Sequence, residues 1–337
     1  MLNSYVVDIR KTLHAIMEED ERVVVLGEDI LDAGGGGAFK ATVGLSTKFP
    51  GRVITTPVCE YSIVGVSVGL ALRRMRPIAE IMFGDFMSIG FDQVINHACK
   101  YSGMYNRQVT VPLVIRTPMG GGRGYGPTHS QSIEKHFLGI PDLDVVAPSH
   151  AHSVGKLLRR SVERENPVLF VENKLLYPAA LFDGSETIRV ARSAGTLGYE
   201  SVRLMNYRPG ERPDVCILTY GGVSRLMIPV LEKLAAEEIR VLCCLPGLLS
   251  PAPMADIQDA VEEARRVLIV EEGTSCFGWS AEIASRLYAS AAARLAAPIA
   301  TLSAEPTVIP AASELEDKVL PSAAKIENEV MKLLSHD

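Results

Sequence analysis

Two doubly wound α/β domains are predicted for this chain, and three observations predict them. Short runs rich in Val, Ile and Leu alternate with helical patterns over residues 22–174, and the alternation resumes at 214. Between the two lies a polar stretch, 182–213, with Gly and Pro near its end. The chain has 337 residues, a length suited to two domains. Strands that are apolar on both faces belong to parallel sheets covered by helices on each side.

The elements follow in order. "RVVVLGED" (22–29) reads as a strand ending in a Gly-acid loop, and "RVITTP" (52–57) as a second. "SIVGVSVGLALRR" (62–74) reads as an apolar helix whose small residues allow close packing. A strand is expected at 76–83, a helix at 88–104, and strands at 111–118, 143–149 and 167–174, with an amphipathic helix at 152–167. In the second half, strands are expected at 214–222, 239–246, 266–273 and 297–306. Helices at 224–238, 254–265, 278–295 and 323–334 fill the gaps. The domains are therefore placed at 1–185 and 214–337, with 186–213 as a linker.

Composition narrows the function. The chain is 47% hydrophobic with a net charge of −6, which supports a sizeable core and argues against a nucleic-acid or anionic-membrane surface. No apolar run reaches the roughly 18 residues of a membrane span. The first 29 residues show neither a signal-peptide core nor an Arg/Ser-rich transit pattern, so a cytoplasmic location is expected. The six cysteines, Cys59, Cys99, Cys216, Cys243, Cys244 and Cys276, form no C-x-x-C pair and are expected to be free thiols.

Ligands of open parallel sheets bind beyond the carboxyl ends of the strands. Three loops fall there: "TTPVCEY", "MFGDFMS" and the long "RTPMGGGRGYGPTHSQS". The first carries Glu60, a lone carboxylate at the mouth of an apolar run; it also reads as a helix N-terminal acid favoured by the macrodipole. The second carries Phe86, with Asp85 as a loop acid. The third carries His129 after a Pro-Thr turn. His14, His97, His136, His150, His152 and His336 have helix or surface readings. "GGGG" (34–37) and "GGGRGYG" (120–126) match neither the P-loop nor the G-x-G-x-x-G spacing and read as tightly turning loops. The missing fingerprint also counts against a nicotinamide-binding protein.

Taken together, "GEDI", "GGGGAFKATVGLSTKF", "RVITTPVCEYSIVGVSVGLAL", "RPIAEIMFGDFMSIGFDQVINHACKY", "VPLVIRTPMGGG", "THSQSIEKHFLGIPDLDVVAPS" and "NPVLFVENKLLY" resemble a known family. It is the β subunit of thiamine-diphosphate-dependent 2-oxo-acid dehydrogenases of the pyruvate, branched-chain and acetoin type. "DVCILTYGG", "RVLIVEEG" and "FGWSAEIA" resemble its C-terminal transketolase-like domain. The resemblance implies an N-terminal pyrimidine-binding domain that supplies half of a cofactor site shared with an α subunit in an α2β2 heterotetramer. It implies a small 2-oxo-acid substrate and a lipoyl acyltransferase as the acceptor's carrier.

By the same resemblance Glu60, in "TPVCE", hydrogen-bonds the ring nitrogen of the cofactor's aminopyrimidine. Phe86 packs on that ring, Val58 lines it, and His129 of "THSQ" faces the substrate and the lipoyl arm. Potassium is implied at the backbone carbonyls of Leu113, Ser161, Val162, Arg164 and Asn166. Magnesium is implied in the partner subunit, because relatives hold it with a "GDG" followed further on by Asn and this sequence contains no GDG. Departures fall at Cys59, at Thr128 and in "CLPGLLSP", and they bear on the acyl acceptor and docking. The alternatives are a split transketolase-like or acyloin-forming enzyme with an aldehyde acceptor, and a non-catalytic paralogue.

Overall fold

The computed structural model describes residues 3–335, so His336 lies outside the described residues. The first sheet is built from β1 (Val23–Gly27), β2 (Val53–Thr55), β3 (Arg76–Glu80), β4 (Val114–Met119), β5 (Asp144–Val146) and β6 (Val168–Asn173). The second begins with β7 (Arg189–Ala194), β8 (Glu200–Met205), β9 (Val215–Leu218) and β10 (Val241–Pro246). The chain then returns to the first sheet as β11 (Leu248–Ser250) and completes the second with β12 (Val267–Thr274) and β13 (Ala300–Ala304).

The spatial orders are β11-β5-β6-β4-β3-β1-β2 and β13-β12-β9-β10-β8-β7. In the first sheet every pairing is parallel except β11 with β5. Every residue of β1, β4 and β6 is buried, which is why these strands read as unbroken apolar runs. The two doubly wound domains expected from the sequence are present.

Three local features differ from the sequence expectation. The stretch expected as a linker contains β7 and β8, an antiparallel pair, with β8 joined antiparallel to β10. β7 is an exposed edge strand, so its sequence is polar and carries no strand signal. β11 is only three residues long but wholly buried, and it stitches the second half of the chain to the first sheet. The helix expected at 88–104 is broken into a helix Met87–Asp92, a π-helical stretch Gln93–Ala98 and a turn Tyr101–Met104. Among the described residues no helix is long and apolar enough to cross a membrane.

Beneath the carboxyl ends of the central strands lies a buried ionic cluster. Arg116 on β4, 1% exposed, pairs with Glu80 on β3 at 2.7 Å and with Glu172 on β6 at 2.7 and 2.9 Å. Tyr177 donates to Glu172 at 2.6 Å. Burial raises the Glu80 carboxyl above its usual range, against the pull of Arg116. Removing the arginine leaves two buried carboxylates unpaired. Arg116→Met should therefore cost about 3–5 kcal/mol of unfolding free energy, the scale for a broken buried pair. Urea denaturation of the variant measures it, and a loss below about 1 kcal/mol would show that the cluster is not what ties these strands.

Candidate active site

Four neighbouring strands, in the order β4-β3-β1-β2, end at one edge of the first sheet. Each continues into a loop that carries a candidate residue. β2 leads to Val58 and Glu60, β1 to Glu28, β3 to Phe83 and Phe86, and β4 to His129.

Glu60 is the first residue of the helix Glu60–Leu72, which follows Cys59 directly. It is 5% exposed, and among the described residues its carboxylate has no hydrogen-bond or ion-pair partner. The helix N-terminus favours its charge, and its oxygens are not among the fully buried polar atoms, so the carboxylate opens toward the edge of the site. Glu28 lies close enough to feel it: burial first, then Asp29 and Glu60, raise the Glu28 carboxyl above its usual range. Cys59 sits 3.1 Å from the Ser62 hydroxyl, and that hydrogen bond lowers its thiol below the usual range. Val58 stands 72% exposed at the edge of the site.

Phe86 closes a short 3-10 turn, Gly84–Phe86. Gly84 is needed there, because a Cβ would lie 2.3 Å from Met119 Cγ on β4. The short helix that follows, Met87–Asp92, packs on the Glu60 helix, with Gly90 facing Val64 and the Glu60 carbonyl. Phe86 is thus seated on the same two-helix unit as Glu60.

His129 meets Phe86 and Phe83 edge to face, with ring centroids 5.2 and 4.7 Å apart. Its Nδ1 lies 2.9 Å from the Thr128 hydroxyl. The other ring nitrogen, Nε2, has no partner among the described residues. Phe83 also meets Phe39 at 5.7 Å, and Phe39 stacks on Tyr177 at 4.9 Å. The structure therefore brings Phe86 and His129 into contact. Glu60 is tied to them through its helix, not by direct contact.

Other residues of the site were not singled out by sequence reasoning. Lys174 is fully buried and donates to the His129 carbonyl. Burial lowers its amine to about 8, against the pull of Asp85 and Glu272. Asp85, read as a loop acid, accepts from the Gln131 amide at 3.2 Å and side chain at 2.9 Å. His150 and His152 are buried, not surface residues: His150 Nδ1 meets Ser224 at 3.0 Å, and His152 bonds Ser149 and the Leu245 carbonyl. A buried Lys carries no sequence pattern of its own, and these histidines are buried by chain segments far away in the sequence.

The carbonyls expected to hold potassium are partly engaged. Val162 and Arg164 accept from the Arg76 guanidinium at 2.7 and 3.2 Å, and Leu113 accepts from the Val168 amide at 2.8 Å. A guanidinium already supplies positive charge to this set, and potassium enters no step below. Among the described residues no group of three or more His, Cys, Asp or Glu side chains could hold a metal ion.

Residues 5–180, more than half of the chain, match the family described as transketolase, pyrimidine binding domain. The chain is 34% identical over 306 residues to the 2-oxoisovalerate dehydrogenase subunit beta, mitochondrial, of Dictyostelium discoideum, covering 90% of this chain and 79% of that one. The chain belongs to this β-subunit family. It is also 33% identical to the acetoin:2,6-dichlorophenolindophenol oxidoreductase subunit beta of Cupriavidus necator, over 92% of this chain and 90% of that one. It is 32% identical to the pyruvate dehydrogenase E1 component subunit beta of Rickettsia felis, over 92% and 93%. Residues 207–326 match the transketolase C-terminal domain. A solved split-gene transketolase, an inactive beta4 tetramer, superposes with a TM-score of 0.72 at 20% identity over 98% of this chain and 97% of that one, which shows the shared fold.

In this β subunit the segment after His129 packs against the second domain before the chain returns to β5. Glu134, 2% exposed, accepts from the Tyr220 hydroxyl at 2.5 Å, and its other oxygen is buried without a partner. Burial raises its carboxyl from 4.5 to about 7; Tyr220 opposes this, and Glu271 and Glu272 add to it. A raised acid contributes stability below its unfolded pKa, and that stability is lost as pH rises through the folded value. Glu134→Gln keeps the shape and removes the titration. Its stability relative to the parent should rise as pH goes from about 4.5 to about 7, by about 3 kcal/mol for a shift of this size. Urea midpoints against pH measure this, and a difference that is flat or falls with pH would overturn it.

Proposed function

We propose that this chain is the β subunit of a thiamine-diphosphate-dependent 2-oxo-acid dehydrogenase, which decarboxylates a small 2-oxo acid and passes the acyl group to a lipoyl carrier. The observation that carries the reading is Glu60: a residue only 5% exposed whose carboxylate, among the described residues, has no hydrogen-bond or ion-pair partner, placed where parallel sheets bind ligands. An aminopyrimidine fits what is missing. Its ring nitrogen offers the hydrogen bond that the carboxylate lacks, and its flat face matches Phe86. Val58 supplies an apolar wall.

Thiamine diphosphate, when bound, supplies an acidic ring carbon and an electron sink for decarboxylation. Glu60 holds a shared proton at its carboxylate oxygen against the pyrimidine nitrogen. In so dry a setting that hydrogen bond is strong and polarises the ring. Phe86 fixes the plane of the ring, and the contact between its short helix and the Glu60 helix holds the two in register. His129 has Nδ1 tied to Thr128 and, among the described residues, no partner at Nε2, so Nε2 is the atom that would give or take a proton while the acyl group moves to its acceptor.

The diphosphate and its magnesium are assigned to an α subunit, because the sequence has no GDG. The surface around the site supports a partner there. Val58, Tyr61, Val66 and Ile89 are exposed apolar side chains on or beside the two helices that carry Glu60 and Phe86. The family relatives are named as β subunits, which fits the same α2β2 arrangement.

Glu60→Gln tests the role of the carboxylate. In the enzyme assembled with its α subunit, turnover should fall at least about a hundredfold, the scale of a positioned proton-transfer group. Deuterium exchange at the cofactor's thiazolium carbon should slow in parallel, with the circular dichroism unchanged. Exchange at the parent rate would refute it. The shared site is tested separately by calorimetry. The purified chain with magnesium and thiamine diphosphate should give no binding heat until the α subunit is added, and tight stoichiometric binding by this chain alone would contradict the division of the site.

A further inference from the structure

The loop between β4 and His129 is gripped from the other domain. Gly120, Gly122, Gly124 and Gly126 all have positive φ, between 66° and 96°. Left-handed residues at alternate positions turn successive backbone N–H groups toward one side and make a concave anion site. That site is filled by the protein itself. Glu316 accepts from the Gly122 amide at 2.8 Å and from the Gly124 amide at 2.9 Å. Glu272 accepts from the Gly121 amide at 2.6 Å and, through its second oxygen, from Asn173 at 3.0 Å.

Both carboxylates come from the second half of the chain. Glu272 is on β12, and Glu316 is on the helix Ser313–Val319. Glu316 is 1% exposed, so both its oxygens are committed to the loop. Its helix rests on a small cluster of its own, Ala304, Ile309, Val319 and Leu320. The loop lies close on this platform: a Cβ on Gly121 would come within 2.8 Å of Leu320, and one on Gly124 within 3.1 Å of the Ala311 carbonyl.

Beyond the glycines the same loop closes on itself. Gly120 donates to the Gln131 carbonyl at 3.1 Å, and His129 donates through its amide to Gly126 at 3.3 Å. Asp85 and Lys174 hold its far side. We propose that Glu316 and Glu272 are positioning residues for His129, so that the second domain sets where the imidazole stands over Phe83 and Phe86. The proposal rests on the role of His129 given above.

Each bond is made to a carboxylate and is partly buried, so its loss is felt locally. In the full chain, Glu316→Gln should speed amide hydrogen exchange at Gly122 and Gly124 by about tenfold or more, the factor for one hydrogen bond to a charged group. Exchange in β4 and β6 should stay as in the parent. In the enzyme assembled with its α subunit, kcat should fall by about tenfold or more, as a misplaced group demands. In a His129→Ala background Glu316→Gln should have no further effect on kcat, because it acts through that residue. Glu272→Gln should show the same pattern at Gly121.

Unchanged loop exchange in these variants would overturn the proposal. So would faster exchange with parental kcat in an enzyme that His129→Ala impairs, or additive losses in the double variant. If His129→Ala alone is silent, the role of His129 falls instead, and the exchange result decides whether the carboxylates hold the loop.

Discussion

One guanidinium ties the carboxyl ends of three adjacent strands. Arg116 reaches sideways from β4 to Glu80 on β3 and to Glu172 on β6, in a place with almost no water. Parallel strands have no hairpin to fix their ends relative to one another. Their backbone ladders set the register, but the loops beyond still need a fixed base. The ionic cluster provides that base just below the edge where the loops begin. It also bears on the last glycine of the four-glycine run near the N-terminus. A Cβ on Gly37 would lie 2.7 Å from Glu80 Oε1, so the chain passes over the cluster only as glycine, and with a positive φ.

From that base a continuous line of contacts leads to the site. Glu172 takes the hydroxyl of Tyr177, Tyr177 stacks on Phe39, Phe39 meets Phe83, and Phe83 meets both Phe86 and His129. Each step is a ring against a ring or a hydroxyl on a carboxylate, and each favours one relative orientation. The imidazole is held on one side by this column and at its backbone by Lys174. The surface of Glu60 is different. Among the described residues its carboxylate has no hydrogen-bond or ion-pair partner, and Val58 beside it is exposed. One part of the site is finished by this chain and the other is left open, as expected of half of a shared site.

Much of this was legible in the sequence, and the reasons differ by residue. The fully buried strands declared themselves as unbroken apolar runs. Glu60, Phe86 and His129 follow β2, β3 and β4 in the chain, but it was the family resemblance, not their order, that singled them out as site candidates. β7 was not legible because an exposed edge strand needs no apolar residues. β11 was not legible because three residues are too few for a pattern, and only the neighbouring β5 makes them a strand. Lys174 continues a strand-like run, and nothing in a sequence says that its amine finds a carbonyl 45 residues earlier.

Glu272 and Glu316 mark the limit most clearly. They contact the glycine loop across separations of 151 and up to 194 residues. In the sequence each is an ordinary acid, one after an apolar strand and one in a short charged helix. The glycines gave half of the signal: alternating Gly with no Lys-Ser/Thr partner excluded a phosphate loop but left unsaid what the turned-in amides would bind. Partly buried N–H groups need partners, and a loop that carries a candidate site residue gains from finding them in protein oxygens, since water or a diffusible anion would leave it free to move. The second domain supplies those oxygens, and so holds a loop of a candidate site whose side chains, Glu60, Phe86 and His129, all lie in the first.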